Sequence, residues 1–376
     1  MRRFKSHVQV FALVLSACLL CWGVASAKGK PGGGGGGGGP SFEIIPLDDA
    51  GGAVHNGAAK DINNARQAVG YVDDASGPGR YAAYWSISEL NGQIQSTLSL
   101  LAGDGAAYGI NDVGEIAGTG DDASGNPVGL YWSSASALPV ELPPLTGHDA
   151  SNALAINDDG VICGRSGILG AGMQYSRAVA WRVNWVEGVP VVFGPVELPG
   201  PVDGSSAVDL TDNDGDGLAE VAGYYEAAQG GAVVWTVASL TDGSLVATGP
   251  TVLDGNGIAT GINNSGIACG YNGQLAVLWD GVSTNTLQRP TKGKNAAPWT
   301  RAFDISDTGV IVGRGGPGTI DARAVVWPSA DGAMMYLDSF LGSNSPLLGL
   351  ESANAVNDSG EIVGTGWNGA YVAIPR

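Results

Sequence analysis

From Ser41 onward, short runs rich in apolar residues are each closed by a turn signal. One type of run ends on a branched aliphatic anchor. The anchors are Ile62, Ile110, Ile156, Leu210, Ile262, Ile305 and Val356, spaced by 48, 46, 54, 52, 43 and 51 residues. Short apolar runs bounded by turn residues read as strands. No copy holds a long period-3.6 apolar pattern and glycine is distributed throughout, which excludes helical solenoids. Most anchors are followed by Asn or Asp and then Gly, as in Asn111-Asp112-Val113-Gly114. Asn and Asp favour turns and Gly accepts positive φ, so these segments are read as turns. The first copy departs from this pattern, with Arg66 at the glycine position.

A second run reaches a glycine eight residues after the anchor: Gly70, Gly118, Gly164, Gly270, Gly313 and Gly364. In the fourth copy the glycine is Gly223, thirteen residues on. A third run ends on Trp85, Trp132, Trp181, Trp235, Trp279 or Trp327, with Ala373 in the seventh slot. A short fourth run precedes the next copy. Four strands in each repeat of 43 to 54 residues predict an all-β, seven-bladed β-propeller. The last copy ends at Arg376 without a fourth run, and Phe42 to Leu47 matches one. That N-terminal strand is expected to complete the last blade and leave no open edge. The tryptophans are read as packing between blades.

The phrases AAYGINDVGEIAG (106–118), ATGINNSGIACG (259–270) and ANAVNDSGEIVG (353–364) resemble HAF repeats of bacterial exported proteins. The resemblance covers nearly all of residues 50–376. It implies an exported propeller-like protein and carries over no catalytic residue.

The N-terminus extends the expectation of export. Arg2, Arg3 and Lys5 precede an apolar stretch from Val8 to Val24, and Ala25 to Ala27 fits small-x-small cleavage. Residues 1–27 are therefore read as a signal peptide, and lipidation at Cys18 is the less favoured alternative. Residues 28–40 contain eight consecutive glycines and read as a flexible linker. Residues 41–376 form the propeller. The expected location is secreted or periplasmic, with no transmembrane segment after signal removal.

The formal charge is -18 for the whole chain, and the signal peptide contains three basic residues and no acidic ones. Such an acid excess argues against nucleic acid as a partner. Beyond the signal, Cys163 and Cys269 occupy equivalent slots two repeats apart. That is too far for a disulfide, so both are read as buried thiols.

The fourth copy carries five extra residues between its first two strands, within Leu210 to Gly223. Asp212, Asp214 and Asp216 alternate, followed by Gly217, the Leu218 carbonyl and Glu220. Calcium takes six to eight hard oxygens, and its expected ligands are Asp212, Asp214, Asp216, the Leu218 carbonyl and Glu220, with Gly217 permitting the turn. The spacing differs from an EF-hand, because Gly223 stands where the bidentate Glu belongs and the flanks read as strands. Asp212 to Glu220 resembles the FG-GAP calcium loop of integrin-type propellers, with Glu220 in place of the final Asp. An unliganded acidic turn is the alternative.

No nucleophile elbow, metalloprotease motif or sialidase-type box occurs. Gly313 to Gly318 has the composition of a dinucleotide loop but no helix to follow it. Trp299, in a link between blades, and Trp367, in a second-to-third strand loop, lie outside the repeat slots. Both are candidate ligand-stacking residues on the face opposite the calcium loop. The expected activity is non-enzymatic: a monomeric binding or scaffold module with a carbohydrate or cell-envelope ligand. The alternative is a polysaccharide-active enzyme, glycoside hydrolase or lyase, that uses acidic residues on that face.

Overall fold

The structure is a computed structural model. It describes residues 40–47, 56–73, 79–170, 175–200, 204–212, 216–225, 231–318 and 321–376. The proposed signal peptide and all of the linker except Pro40 lie outside the described residues. Pro40 to Arg376 is one compact unit.

Seven four-stranded antiparallel sheets make up this unit, one for each copy of the repeat, and they form a seven-bladed β-propeller. The first strands of the blades are Gly57–Ile62, Ala106–Ile110, Ala150–Ile156, Ser205–Leu210, Gly257–Ile262, Trp299–Ile305 and Leu350–Val356. Each contacts the first strand of both neighbouring blades, and the last meets the first, so these strands wall a central axis. Closure follows the sequence expectation. Phe42–Pro46 pairs antiparallel with Gly369–Pro375, placing Phe42 opposite Pro375 and Pro46 opposite Tyr371. Among the described residues, no helix is long and apolar enough to cross a membrane.

Every first strand contains a β-bulge at the same place, with the bulged residue third from the strand's end. The bulge explains the paired glycine. It drives a first-strand carbonyl towards the second strand, where a side chain has no room. A Cβ on Gly70 would stand 1.9 Å from the Ala58 carbonyl oxygen, and one on Gly164 2.0 Å from that of Asn152. The residue before each bulge is alanine in all seven blades, from Ala59 to Ala353, and each is fully buried. The second strand therefore runs through the glycine instead of ending at it, as Gln67–Asp73 and Ile116–Asp121 show.

The six repeated tryptophans are at most 1% exposed and fill the space between blades. Several donate their indole N–H to a carbonyl in the fourth strand of the preceding blade or the link after it: Trp132 to Ala102, Trp181 to Pro143, Trp235 to Pro199 and Trp327 to Gln288. The ring of Trp132 lies 3.0 Å from a Cβ placed on Gly118. In the seventh blade Tyr371 takes that place, 2.6 Å from a Cβ on Gly364, and its hydroxyl donates to the Ser352 carbonyl. This is how a blade with Ala373 in the tryptophan slot remains packed. Cys163 and Cys269 are buried free thiols, as expected from their spacing.

Candidate functional site

The turns after the first strands do more than reverse the chain. At the second turn position, each backbone N–H donates to the side chain at the same position in another blade. Asn64 donates to Asp112, Asp112 to Asp158, Asp158 to Asp212 and Asp212 to Asn264. Asn264 donates to Asp307, Asp307 to Asp358, and Asp358 returns to Asn64. These seven bonds, at 2.7 to 2.9 Å, form a closed belt around the axis. Beside it, Asn63, Asn111, Asn157, Asn263 and Asn357 each donate a side-chain amide to a backbone carbonyl of an adjacent blade. At the closing seam Arg66, in a left-handed conformation with φ 59°, reaches the buried Glu361 at 2.6 Å. The residue that breaks the turn pattern thus ties the first blade to the last.

The belt bears on the predicted calcium loop. Both oxygens of Asp212 accept bonds from adjacent blades, Oδ1 from the Asp158 N–H and Oδ2 from the Asn264 amide at 3.2 Å. Asp212 therefore occupies a regular repeat position, the one Asn64 and Asp112 fill elsewhere. Glu220 holds the slot of Gln67, Glu115 and Glu361, and its Oε2 lies 2.9 Å from a Cβ placed on Gly266 of the fifth blade. On the insert itself, Asp216 Oδ1 accepts the Leu218 N–H at 2.7 Å, and Gly217 has φ 81°. Asp214 lies outside the described residues. Among the described residues no three histidine, cysteine or acidic side chains gather as a metal group. The oxygens already on the insert, those of Asp216 and the Leu218 carbonyl, fit calcium chemistry, whereas both oxygens of Asp212 are engaged in the belt.

One step along the axis from the anchors stand Asp61, Asp209 and Asp304, where the other blades carry Gly109, Ala155, Gly261 and Ala355. Each aspartate links blades. Asp61 accepts from the N–H groups of Ile62 and Ile110, Asp304 from Ile305 and Val356, and Asp209 from Ile262 at 2.8 Å and also from Leu210. Burial raises Asp61 to about 7, and the Asp304 charge adds to the rise. Burial likewise raises Asp304 to about 6. Burial, followed by the Asp304 charge, raises Asp209 well above the usual carboxylate range.

These aspartates separate two axial cavities. The cavity on the turn side has about 160 Å³ and is walled by the belt. The one on the opposite face has about 320 Å³ and is lined by the seven bulge residues: Lys60, Tyr108, Leu154, Val208, Thr260, Phe303 and Asn354. The bulge inserts one extra residue and turns its side chain towards the axis. Positions that pack repeat without change, all alanine before the bulge and all glycine on the second strand. The position that faces the cavity differs in every blade. Asn354 and Thr260 spend hydrogen bonds across blade boundaries, on the Ala59 and Ala302 carbonyls. Lys60 and Arg80 both lie over the Tyr71 ring, at 5.7 and 3.7 Å. Burial, then the Arg80 charge, holds the Lys60 ammonium below its usual range.

The two predicted stacking residues part company. Trp299 begins the first strand of the sixth blade, is 7% exposed, and has Arg314 5.8 Å above its ring. Trp367 is 59% exposed, with its ring against Gly349. The axial cavity was missed in the sequence because its lining residues are the least repeated. Their signal was present nonetheless, in the one variable position of each otherwise constant motif. A neighbouring groove of about 580 Å³ shares Tyr108 with the cavity and also includes Arg80, Asp104 and Asp121. His148 is bonded through Nδ1 to Ser166 Oγ at 2.9 Å.

No family model and no curated protein matches the sequence. Among solved structures, a triple arginine-to-alanine mutant of AofleA from Arthrobotrys oligospora aligns with a TM-score of 0.36 and 12% identity, covering 90% of this chain and 86% of that one.

Proposed function

We propose that this protein is an exported, non-enzymatic binding module of the HAF-repeat type, and that its ligand enters the axial cavity lined by the bulge residues. The observation that carries this reading is the contrast within the repeat. Packing fixes alanine and glycine in seven blades, while the adjacent cavity-facing position takes seven different side chains. A site of varied polar and apolar groups in a concave, preformed wall is what small-ligand recognition requires. Export rests on the signal-like segment 1–27, and the cell-envelope setting on the resemblance to HAF repeats.

Ligand-observed NMR with a panel of saccharides and small organic fragments tests this reading. The wild type is compared with Val208→Trp, which fills the cavity. Binders are expected for the wild type and should be lost in the filled variant. If no compound binds, or if binding ignores the tryptophan, the cavity is not the site. The enzyme alternative draws support from Asp104 and Asp121, two carboxylates lining one groove. New reducing ends or unsaturated products from a polysaccharide panel would establish it.

Calcium binding at the insert belongs to the same reading, as an ordering element of the fourth blade. The proposed core set is Asp214, Asp216, the Leu218 carbonyl and Glu220, with Asp212 contributing only lone pairs left free by its belt partners. A ligand that binds only the folded state stabilises it by about 2.7 kcal/mol at a hundredfold excess over its dissociation constant. Chelation should therefore lower the melting temperature of the wild type. Asp214→Ala/Asp216→Ala should abolish that response. Asp212→Asn should retain it, because Asn serves in the belt at positions 64 and 264. A wild type indifferent to chelator, or a double variant that still responds, would sink the calcium reading.

A further inference from the structure

The axial cavity has an uneven electrostatic and apolar wall. Only thirteen lysines and arginines follow Pro40 in this acidic chain. Lys60 lines the cavity, and both Arg80 and Arg314 act on its charge. The Arg314 guanidinium lies 5.6 Å from the ring of Phe303, another lining residue. Arg301 faces Arg314 in register and sits 4.3 Å over the Tyr271 ring. Two carboxylates offset part of this charge: Glu351 stands 3.8 Å from Arg314, and Asp73 3.2 Å from Arg80. Among the described residues neither Lys60 nor Arg301 forms an ion pair. The positive charge without an ion pair at the mouth thus lies on the first and sixth blades. Tyr108, Leu154 and Val208 of the second, third and fourth blades supply an apolar wall. Asp61, Asp209 and Asp304 close the bottom.

Resting on the reading that the axial cavity is the binding site, we propose that its ligand is a six-membered ring bearing one carboxylate. The carboxylate sits between Lys60 and Arg314 at the mouth, and the ring lies against Tyr108, Leu154, Val208 and Phe303. A guanidinium and an ammonium together match a planar carboxylate, and partial burial strengthens both bonds. The modest surplus charge and the acidic floor select a monoanion and keep its charge at the mouth. Aromatic faces accept either an aryl ring or the C–H face of a sugar. The shared chemistry therefore has two sources, an aromatic carboxylate or a uronic acid.

Isothermal titration with benzoate and glucuronate, beside their neutral counterparts benzyl alcohol and glucose, separates these sources. The proteins are wild type, Lys60→Met, Arg314→Gln, and Lys294→Met as a control that removes an exposed charge of the same sign. Circular dichroism and melting temperature confirm that each variant is folded. At least one acid is expected to bind the wild type, and at least tenfold more tightly than its neutral counterpart. Lys60→Met and Arg314→Gln should each weaken it at least tenfold, and Lys294→Met should leave it unchanged. Which acid binds identifies the source. If the neutral compounds bind as well as the acids, and Val208→Trp blocks them, the cavity is a site but the carboxylate assignment is wrong. If no compound binds, or if Lys60→Met and Arg314→Gln bind like the wild type, the proposal is overturned.

Discussion

Gly270→Ala is expected to destabilise the ring by about 3 kcal/mol, the upper end of what an added methyl in a packed interior costs. The new Cβ would stand 2.0 Å from the Ile258 carbonyl oxygen and 3.0 Å from the Trp279 ring. The oxygen belongs to the backbone of the bulged first strand, so no rotamer change relieves the overlap. The strand must move, and with it the wall of the axial cavity. Gly255→Ala is the matched control. Its Cβ would meet nothing within 4 Å, and the change should stay within about 0.5 kcal/mol. Urea unfolding at equilibrium reads both. If the two variants have the same midpoint, the glycine is not dictated by the bulge.

Stability is expected to fall as pH rises from about 4 to about 7, the reverse of the usual trend on the acid side. The cause is the set of three buried aspartates. Asp61 is raised to about 7 and Asp304 to about 6, from 3.8 for an unburied aspartate, and Asp209 is raised well above it. Between these limits the folded chain retains protons that the unfolded chain has released. Each increment of pH therefore favours unfolding, until the folded-state values are passed. The combined effect is on the order of a few kcal/mol. At the acid end other groups act oppositely. Asp122, Asp242 and Asp280 are held below their usual range by hydrogen bonds from Asn126, Ser244 and Ser283 respectively. Their contribution is lost only as pH falls below about 4, so the maximum should lie near pH 4 to 5. Asp61→Asn removes one titrating group and should flatten the slope, whichever way absolute stability moves. Urea midpoints that rise between pH 4.5 and 7.5 would contradict this account.

Both effects depend on contacts between strands and between blades, and this marks how far the sequence was readable. The anchors, turns, glycines and tryptophans recur at fixed separations because each blade solves the same local packing problem. Blade number, strands per blade and closure by Phe42 to Leu47 followed from counting them. Roles assigned from neighbours in sequence were less complete. Asp112 and Asn111 were read as turn formers, yet their side chains also bond other blades. Asp212 and Glu220 were read as calcium ligands from the aspartate alternation and its likeness to an FG-GAP loop. The structure shows that Asp212 also holds a belt position that every blade fills. Arg66 read as an irregularity and proved to be a partner for Glu361, 295 residues away in sequence.

The sequence by itself determined the all-β character, the sevenfold repeat and the closing strand, since turn signals and spacing are properties of the chain taken in order. Only the tertiary structure decided which residues meet at the axis. The bulge that turns Lys60, Tyr108 and Phe303 towards the axis arises from register between paired strands. The clustering of Asp61, Asp209 and Asp304 needs the ring to be closed. Residues 243 positions apart in sequence, Asp61 and Asp304, come within electrostatic reach because seven blades return the chain to its starting point.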